Sequence, residues 1–196
     1  MKRTVVSLVF ACLLGGCAHD AELAQKSVIS SRSDVFQEMP REDGVAPGIT
    51  TLVIAASLKT HKPGMYSCDV QTHGTPGYQL VINIDGQVLR LNGNPRPEHT
   101  EQTLARKPEE GEGIRYRYQA VLKIAAGPHR IIVALPDDGV AIEKTVGLDD
   151  GKKNILQIAP VYGSARINRK PAMYGGSSCM EGVRGFTVSL NGTSVE

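Results

Sequence analysis

From Ile49 onward the chain is written in short alternating apolar runs separated by turn residues, and that rhythm constrains the fold more than any other feature. Between Arg115 and Ala125, Tyr116, Tyr118, Ala120, Leu122 and Ile124 share one face while Arg115, Arg117, Gln119 and Lys123 share the other, the period-two pattern of a half-buried strand. Asp85-Gly86, Pro136-Asp137-Asp138-Gly139, Asp149-Asp150-Gly151-Lys152 and Asn191-Gly192 punctuate such runs; glycine accepts positive φ, and Asp and Asn hydrogen-bond to the backbone just ahead of them. The pattern predicts strands near 49–58, 78–84, 87–92, 115–125, 129–135, 140–147, 153–159 and 161–168, with a hairpin about 184–195. With no tryptophan and three phenylalanines, the core rests on Val, Ile, Leu and Tyr, all strand formers. The expected fold is an all-β, antiparallel β-sandwich of the immunoglobulin-like or prealbumin-like kind over residues 49–196. Tyr116, Tyr118, Leu122, Ile124, Ile131, Val133 and Leu135 are expected to face its core.

The other end of the chain reads as an address. Lys2 and Arg3 precede an apolar run from Val5 to Leu14, too short to span a bilayer as a helix and shaped like a cleaved export signal. Leu14-Gly15-Gly16-Cys17 resembles a bacterial lipobox, which implies cleavage before Cys17 and diacylglycerol on its sulfur. Ala18, and not aspartate, follows the cysteine, and the resemblance then implies the outer membrane, with the face left open. The expected organisation is a signal at 1–16, a lipidated N-terminus and flexible tether at 17–48, and the sandwich. Ser30, Ser31, Ser33, Pro40, Gly44, Pro47 and Gly48 mark the tether; a short helix over Asp20–Ile29 has no persistent apolar stripe to dock it.

Over residues 78–160 the chain resembles the PEGA-type domain. The resemblance is carried by YQLVINIDGQVLRL, AVLKIAAGPHRIIVALPDDG and IEKTVGLDDGKKNILQIAP, and within them by Asp85-Gly86, Gly127-Pro128-His129 and Asp150-Gly151. It implies a small antiparallel sandwich of the bacterial envelope, usually non-catalytic. Here a charged, proline-bearing insertion from Gly93 to Gly113 replaces the short link that normally follows the Asp-Gly hairpin, and the motif that names the family is absent.

Charge and cysteines narrow the function classes. Loss of the export segment removes Lys2 and Arg3 and leaves twenty basic and twenty acidic residues, so no nucleic-acid footprint remains. Cys12 leaves with the signal and Cys17 takes lipid, which leaves Cys68 and Cys179 as a pair where oxidation is permitted; a disulfide between them is expected and contributes about 2–4 kcal/mol. The rival reading of His61, Cys68 and His73 as metal ligands lacks a familiar spacing and a fourth ligand, so no metal and no cofactor is expected.

No catalytic set stands out. Ser164 in Tyr-Gly-Ser-Ala-Arg lacks the glycine-flanked nucleophile elbow, His129 sits at a strand entrance where an imidazole caps backbone groups, and the pairs Asp137-Asp138, Asp149-Asp150 and Glu109-Glu110 lack a calcium-loop spacing. The insertion is the segment that could bind: Pro95, Pro97 and Pro108 stiffen it, and Glu98, Glu101, Glu109, Glu110 and Glu112 make it an acidic candidate interaction loop, expected to stay mobile unless a partner or packing holds it. The function expected is a non-enzymatic envelope lipoprotein whose sandwich binds an envelope protein or a cell-surface glycan. An accessory subunit of an envelope secretion or export assembly, and an enzyme with an unrecognised site, are the alternatives.

Overall fold

The computed structural model describes residues 15–40, 46–62, 72–101, 103, 107–163 and 182–196. Two sheets pack face to face as an all-β sandwich. In chain order the elements are α1 (Gly15–Ser27), β1 (Phe36–Glu38), β2 (Ile49–Thr60), β3 (Gln79–Ile84), β4 (Gln87–Asn92), β5 (Arg96–Thr100), β6 (Gly111–Ala125), β7 (Gly127–Leu135), β8 (Val140–Leu148), β9 (Lys153–Tyr162), β10 (Val183–Leu190) and β11 (Thr193–Ser194). The larger sheet runs β1-β6-β2-β9-β10-β11, with β5 sharing the outer edge of β6; the smaller runs β4-β3-β7-β8. All neighbours are antiparallel except β2 and β9, which pair in parallel from Thr51↔Lys153 to Ala56↔Ile158. The chain returns to β2 only after crossing the smaller sheet, and that crossover brings β9 back in the same direction.

The alternation works as the sequence predicts. Tyr116, Tyr118, Leu122, Ile124, Ile131, Val133 and Leu135 are all buried, joined by Leu52, Ile54, Leu58, Leu80, Ile82, Ile84 and Leu156. Asp85-Gly86 and Asn191-Gly192 are both two-residue hairpin turns with positive φ at each position, 48° and 95°, then 51° and 85°, the combination that suits Asp or Asn followed by Gly and matches the strand twist. Gly93 has a different reason to lack a side chain: a Cβ there would stand 2.4 Å from Tyr116 Cδ1 and 2.9 Å from Tyr118 Cε1.

Three elements depart from the sequence reading. The run expected as a separate strand at 161–168 begins instead inside β9, which continues unbroken to Tyr162; residues 164–168 lie outside those described. The stretch read as a tether carries β1, which pairs with β6 from Phe36↔Ile124 to Glu38↔Leu122, and α1, which lies on the outer face of the smaller sheet. There Ala24 is 1% exposed and clusters with Val81, Ile132, Ala134 and Ala141. The helix needs only a short apolar patch to dock, because hydrogen bonds from the sheet finish its C-terminal end. Asn83 Nδ2 donates to Ser27 O and Ile29 O at 3.2 and 3.4 Å, and Arg90 Nη2 donates to Val28 O at 2.7 Å, satisfying carbonyls that a helix terminus leaves orphaned. The third departure is β5, inside the insertion.

Candidate functional site

Turns gather at two ends of the sandwich. At one end are the 85–86, 126–127, 149–152 and 191–192 connections; at the other are the 136–139 turn, the 72–78 segment and the insertion. The turn pieces on which the family resemblance rests meet at the first end: His129 lies 2.7 Å by Nδ1 from Asp85 Oδ2 and 2.9 Å by Nε2 from Ala125 O, while Arg130 N–H donates to Asp85 Oδ1 at 2.8 Å. His129 is 8% exposed, and its ring ties the β3–β4 turn to the start of β7. That is a structural use. Nearby, buried Asn154 donates to Thr50 Oγ1 and Asp149 O, and its Oδ1 accepts from Asn191. Asp150 Oδ1 accepts from Gly48 N–H at 2.8 Å, so this carboxylate caps backbone.

At the other end an aromatic row crosses the core. The ring centroids of His61 and His73 are 4.9 Å apart, those of His73 and Tyr78 4.7 Å, and those of Tyr78 and Tyr116 5.0 Å. Asp138 accepts from Tyr78 O–H and, at 3.1 Å, from His73 Nε2; Asp137 accepts from Thr72 Oγ1 at 2.6 Å. Burial first, and then the Asp138 charge, push the Tyr78 phenol well above its ordinary value. A phenol so held keeps its proton and donates to Asp138. The structure thus brings together His61 and His73, which the sequence offered only as part of a metal set. Among the described residues no three His, Cys, Asp or Glu side chains converge as a metal site. Cys68 and Cys179 lie outside the described residues. The strands flanking their segments, β2, β3, β9 and β10, all have an end on this side of the molecule.

Among the described residues of the insertion, packing against β6 and Lys59 holds the acidic segment in place. β5 pairs with β6 from Arg96↔Arg115 to Thr100↔Gly111, and two of the carboxylates turn inward: Arg115 donates to Glu98 at 2.9 and 3.1 Å and to Glu109 at 2.6 Å. Beneath them Lys59 is 0% exposed. Its Nζ donates to Glu109 O and Gly111 O, both at 2.9 Å, and to Thr100 Oγ1 at 3.3 Å, with Glu98 3.5 Å away. Tyr162 O–H donates to Glu109 and accepts from Lys59 N–H. The hydrogen bond from Arg115, helped by the charges of Arg115 and Lys59, holds the Glu98 carboxyl down to about 2. Burial alone would lower the Arg115 guanidinium, but Glu98 and Glu109 outweigh it and raise it above its ordinary value. Glu110 accepts from Thr103 N–H and Oγ1 at 2.8 and 2.7 Å, and Glu112 reaches Lys62 at 3.7 Å. Of the expected contact residues, Pro97, Glu101 and Glu112 stay exposed and Pro95 is half-buried. The physical reason is Lys59: an ammonium on the outward face of β2 recruits the carboxylates and carbonyls of the insertion, which fold over it. A lysine at an outward strand position gave no warning of this in the sequence.

What remains open is the outer face of the larger sheet. Register places Gln119, Ala55, Gln157 and Ser189 side by side across β6, β2, β9 and β10. The next row holds Arg117, Ser57, Ala159 and Thr187. The small side chains of Ala55, Ser57 and Ala159, set among the longer Arg117, Gln119 and Gln157, make a shallow groove of about 600 Å³. Motifs and turn chemistry did not point to this surface, although its signal was present in the sequence: Ala55, Ser57 and Ala159 are small residues at outward strand positions.

Comparison with protein-family models, with curated proteins and with solved structures found no match. The site's class therefore rests on its own residues: a β-sandwich with one shallow, polar-lined sheet face.

Proposed function

We propose that this protein is a lipid-anchored lipoprotein of the bacterial outer membrane, held through Cys17, whose sandwich is a non-catalytic binding module. The observation that carries the reading is the groove. Its reach is lined by the amides of Gln119 and Gln157, the hydroxyls of Ser57, Thr187 and Ser189, and the guanidinium of Arg117. Protein-binding surfaces concentrate their energy in large aromatic anchors. This face offers donors and acceptors above a floor of alanine, which suits a polyhydroxylated chain, and the ligand class is an envelope glycan. Among the described residues, the carboxylates nearest to histidine or tyrosine are held in hydrogen bonds within the fold: Asp138 with Tyr78 and His73, Asp85 with His129, and Glu109 with Tyr162. The family resemblance, carried by Asp85-Gly86 and His129, supports an envelope module of the same kind.

The test is co-sedimentation of the protein with purified cell-wall polysaccharide. Ser57→Arg fills the groove floor at an exposed position and should abolish sedimentation while leaving the unfolding temperature unchanged. Equal sedimentation of Ser57→Arg and the parent, or none by the parent, overturns the reading.

A further inference from the structure

The docked helix fixes how far the lipid can stand from the sandwich. A flexible chain over residues 17–48 would let the domain wander about 30 Å from its anchor, taking 5–6 Å times the square root of the residue number. Cys17 instead lies within α1. Four residues later Ala21 stands against the 136–139 turn, close enough that a Cβ on Gly139 would meet Ala21 Cβ at 3.9 Å. At 1.5 Å per residue, that is a rise of about 6 Å from the anchor to the folded domain. The helix direction is equally defined: Ala21 lies at the 136–139 turn, and the chain just past the helix reaches the opposite end, where Ser31 N–H donates to Gly86 O at 2.9 Å.

We propose that the protein sits on the membrane by one end, with α1 clamping the sandwich so that the 136–139 turn and the 72–78 segment face the lipid surface and the 85–86, 149–152 and 191–192 turns point away from it. The inference rests on acylation at Cys17, part of the function proposed above. The clamp consists of Ala24 packed among Val81, Ile132, Ala134 and Ala141, together with the caps that Asn83 and Arg90 place on the helix's last carbonyls. It would hold the long axis of the sandwich upright on the membrane plane, and the groove on the larger sheet would run away from the bilayer, open to a polymer lying above it.

The chain contains no tryptophan, so a single introduced indole reports its own position. Pro76→Trp marks the membrane end and Lys152→Trp the far end; both sites are exposed. β2 alone, with twelve residues, spans about 40 Å, so energy transfer to dansyl-labelled lipid headgroups separates the two ends. In full-length acylated protein reconstituted into phosphatidylethanolamine–phosphatidylglycerol vesicles, transfer from the Pro76→Trp variant should exceed that from the Lys152→Trp variant by about fivefold or more, given that span. Ala24→Glu, which sets a carboxylate into the helix contact, should erase the difference. Intact mass is measured on the same samples. An acylated protein with equal transfer from both positions overturns the orientation and leaves the anchor standing. A mature protein without the lipid mass overturns both.

Discussion

Replacing Lys59 with methionine isolates what the insertion does for the fold. The side chain is fully buried and its ammonium donates to two carbonyls and a hydroxyl. Methionine fills similar space without the charge, leaving Glu109 O and Gly111 O without that donor, at about 1–3 kcal/mol for each buried acceptor. Two effects offset part of this. The ammonium no longer has to be desolvated, and Glu98 keeps its two bonds to Arg115, so the loss stays below the roughly 3–5 kcal/mol typical of stranding a buried charge. The net destabilisation should be about 2–4 kcal/mol, or about 5–15 °C in midpoint for a chain of this length. Lys62→Met is the control: that side chain is 60% exposed and 3.7 Å from Glu112, and its removal should cost under about 0.5 kcal/mol. Urea unfolding of both variants at neutral pH gives the two values, and amide exchange over Arg96–Thr100 should quicken only in Lys59→Met. A Lys59→Met protein within about 0.5 kcal/mol of the parent, the usual scatter of surface changes, would refute the claim that Lys59 organises the insertion. By the same reasoning, exchanging residues 95–112 for a short Gly-Ser link should destabilise the domain, because it removes the acceptors of the Lys59 ammonium.

Leu122 is fully buried and its neighbour Lys123 is only half-buried, so Leu122→Ala should cost about 2–5 kcal/mol by urea unfolding and Lys123→Ala well under about 1; equal costs would mean the strand faces are misassigned. The Glu98 carboxyl, held at about 2 against an ordinary 4.5, stabilises the fold fully above pH 4.5, and that contribution drains away as pH falls towards 2. Glu98→Gln should therefore flatten the decline of stability with acid over this window, and an unchanged slope would remove Glu98 from the account. Alkylation of the non-reduced protein followed by mass measurement should find Cys68 and Cys179 protected, and free thiols at both would exclude the bridge.

The alternation of Tyr116, Tyr118, Leu122 and Ile124, and the Asp85-Gly86 and Asn191-Gly192 turns, were legible because their causes are local: side chains alternate across a strand, and a two-residue turn needs positive φ. Such rules settle strand faces and hairpins one segment at a time, and they were enough to indicate an all-β sandwich. A further local signal was the unbroken run Ile131-Ile132-Val133-Ala134-Leu135, whose apolar residues on both faces mark a strand covered on both sides. The cover itself was not readable, since α1 has a weak apolar stripe and is held by Asn83 and Arg90, residues more than fifty positions away. Tertiary structure likewise decided the insertion. Its glutamates look like a solvated surface until Lys59 and Arg115, on two other strands, are brought beneath them, because a carboxylate's role depends on which charge stands within hydrogen-bonding reach and sequence distance carries no record of that. The groove follows the same logic: Ala55, Gln119, Gln157 and Ser189 become one surface only when β2, β6, β9 and β10 fall into register, and the parallel pairing of β2 with β9 is set by the path of the whole chain.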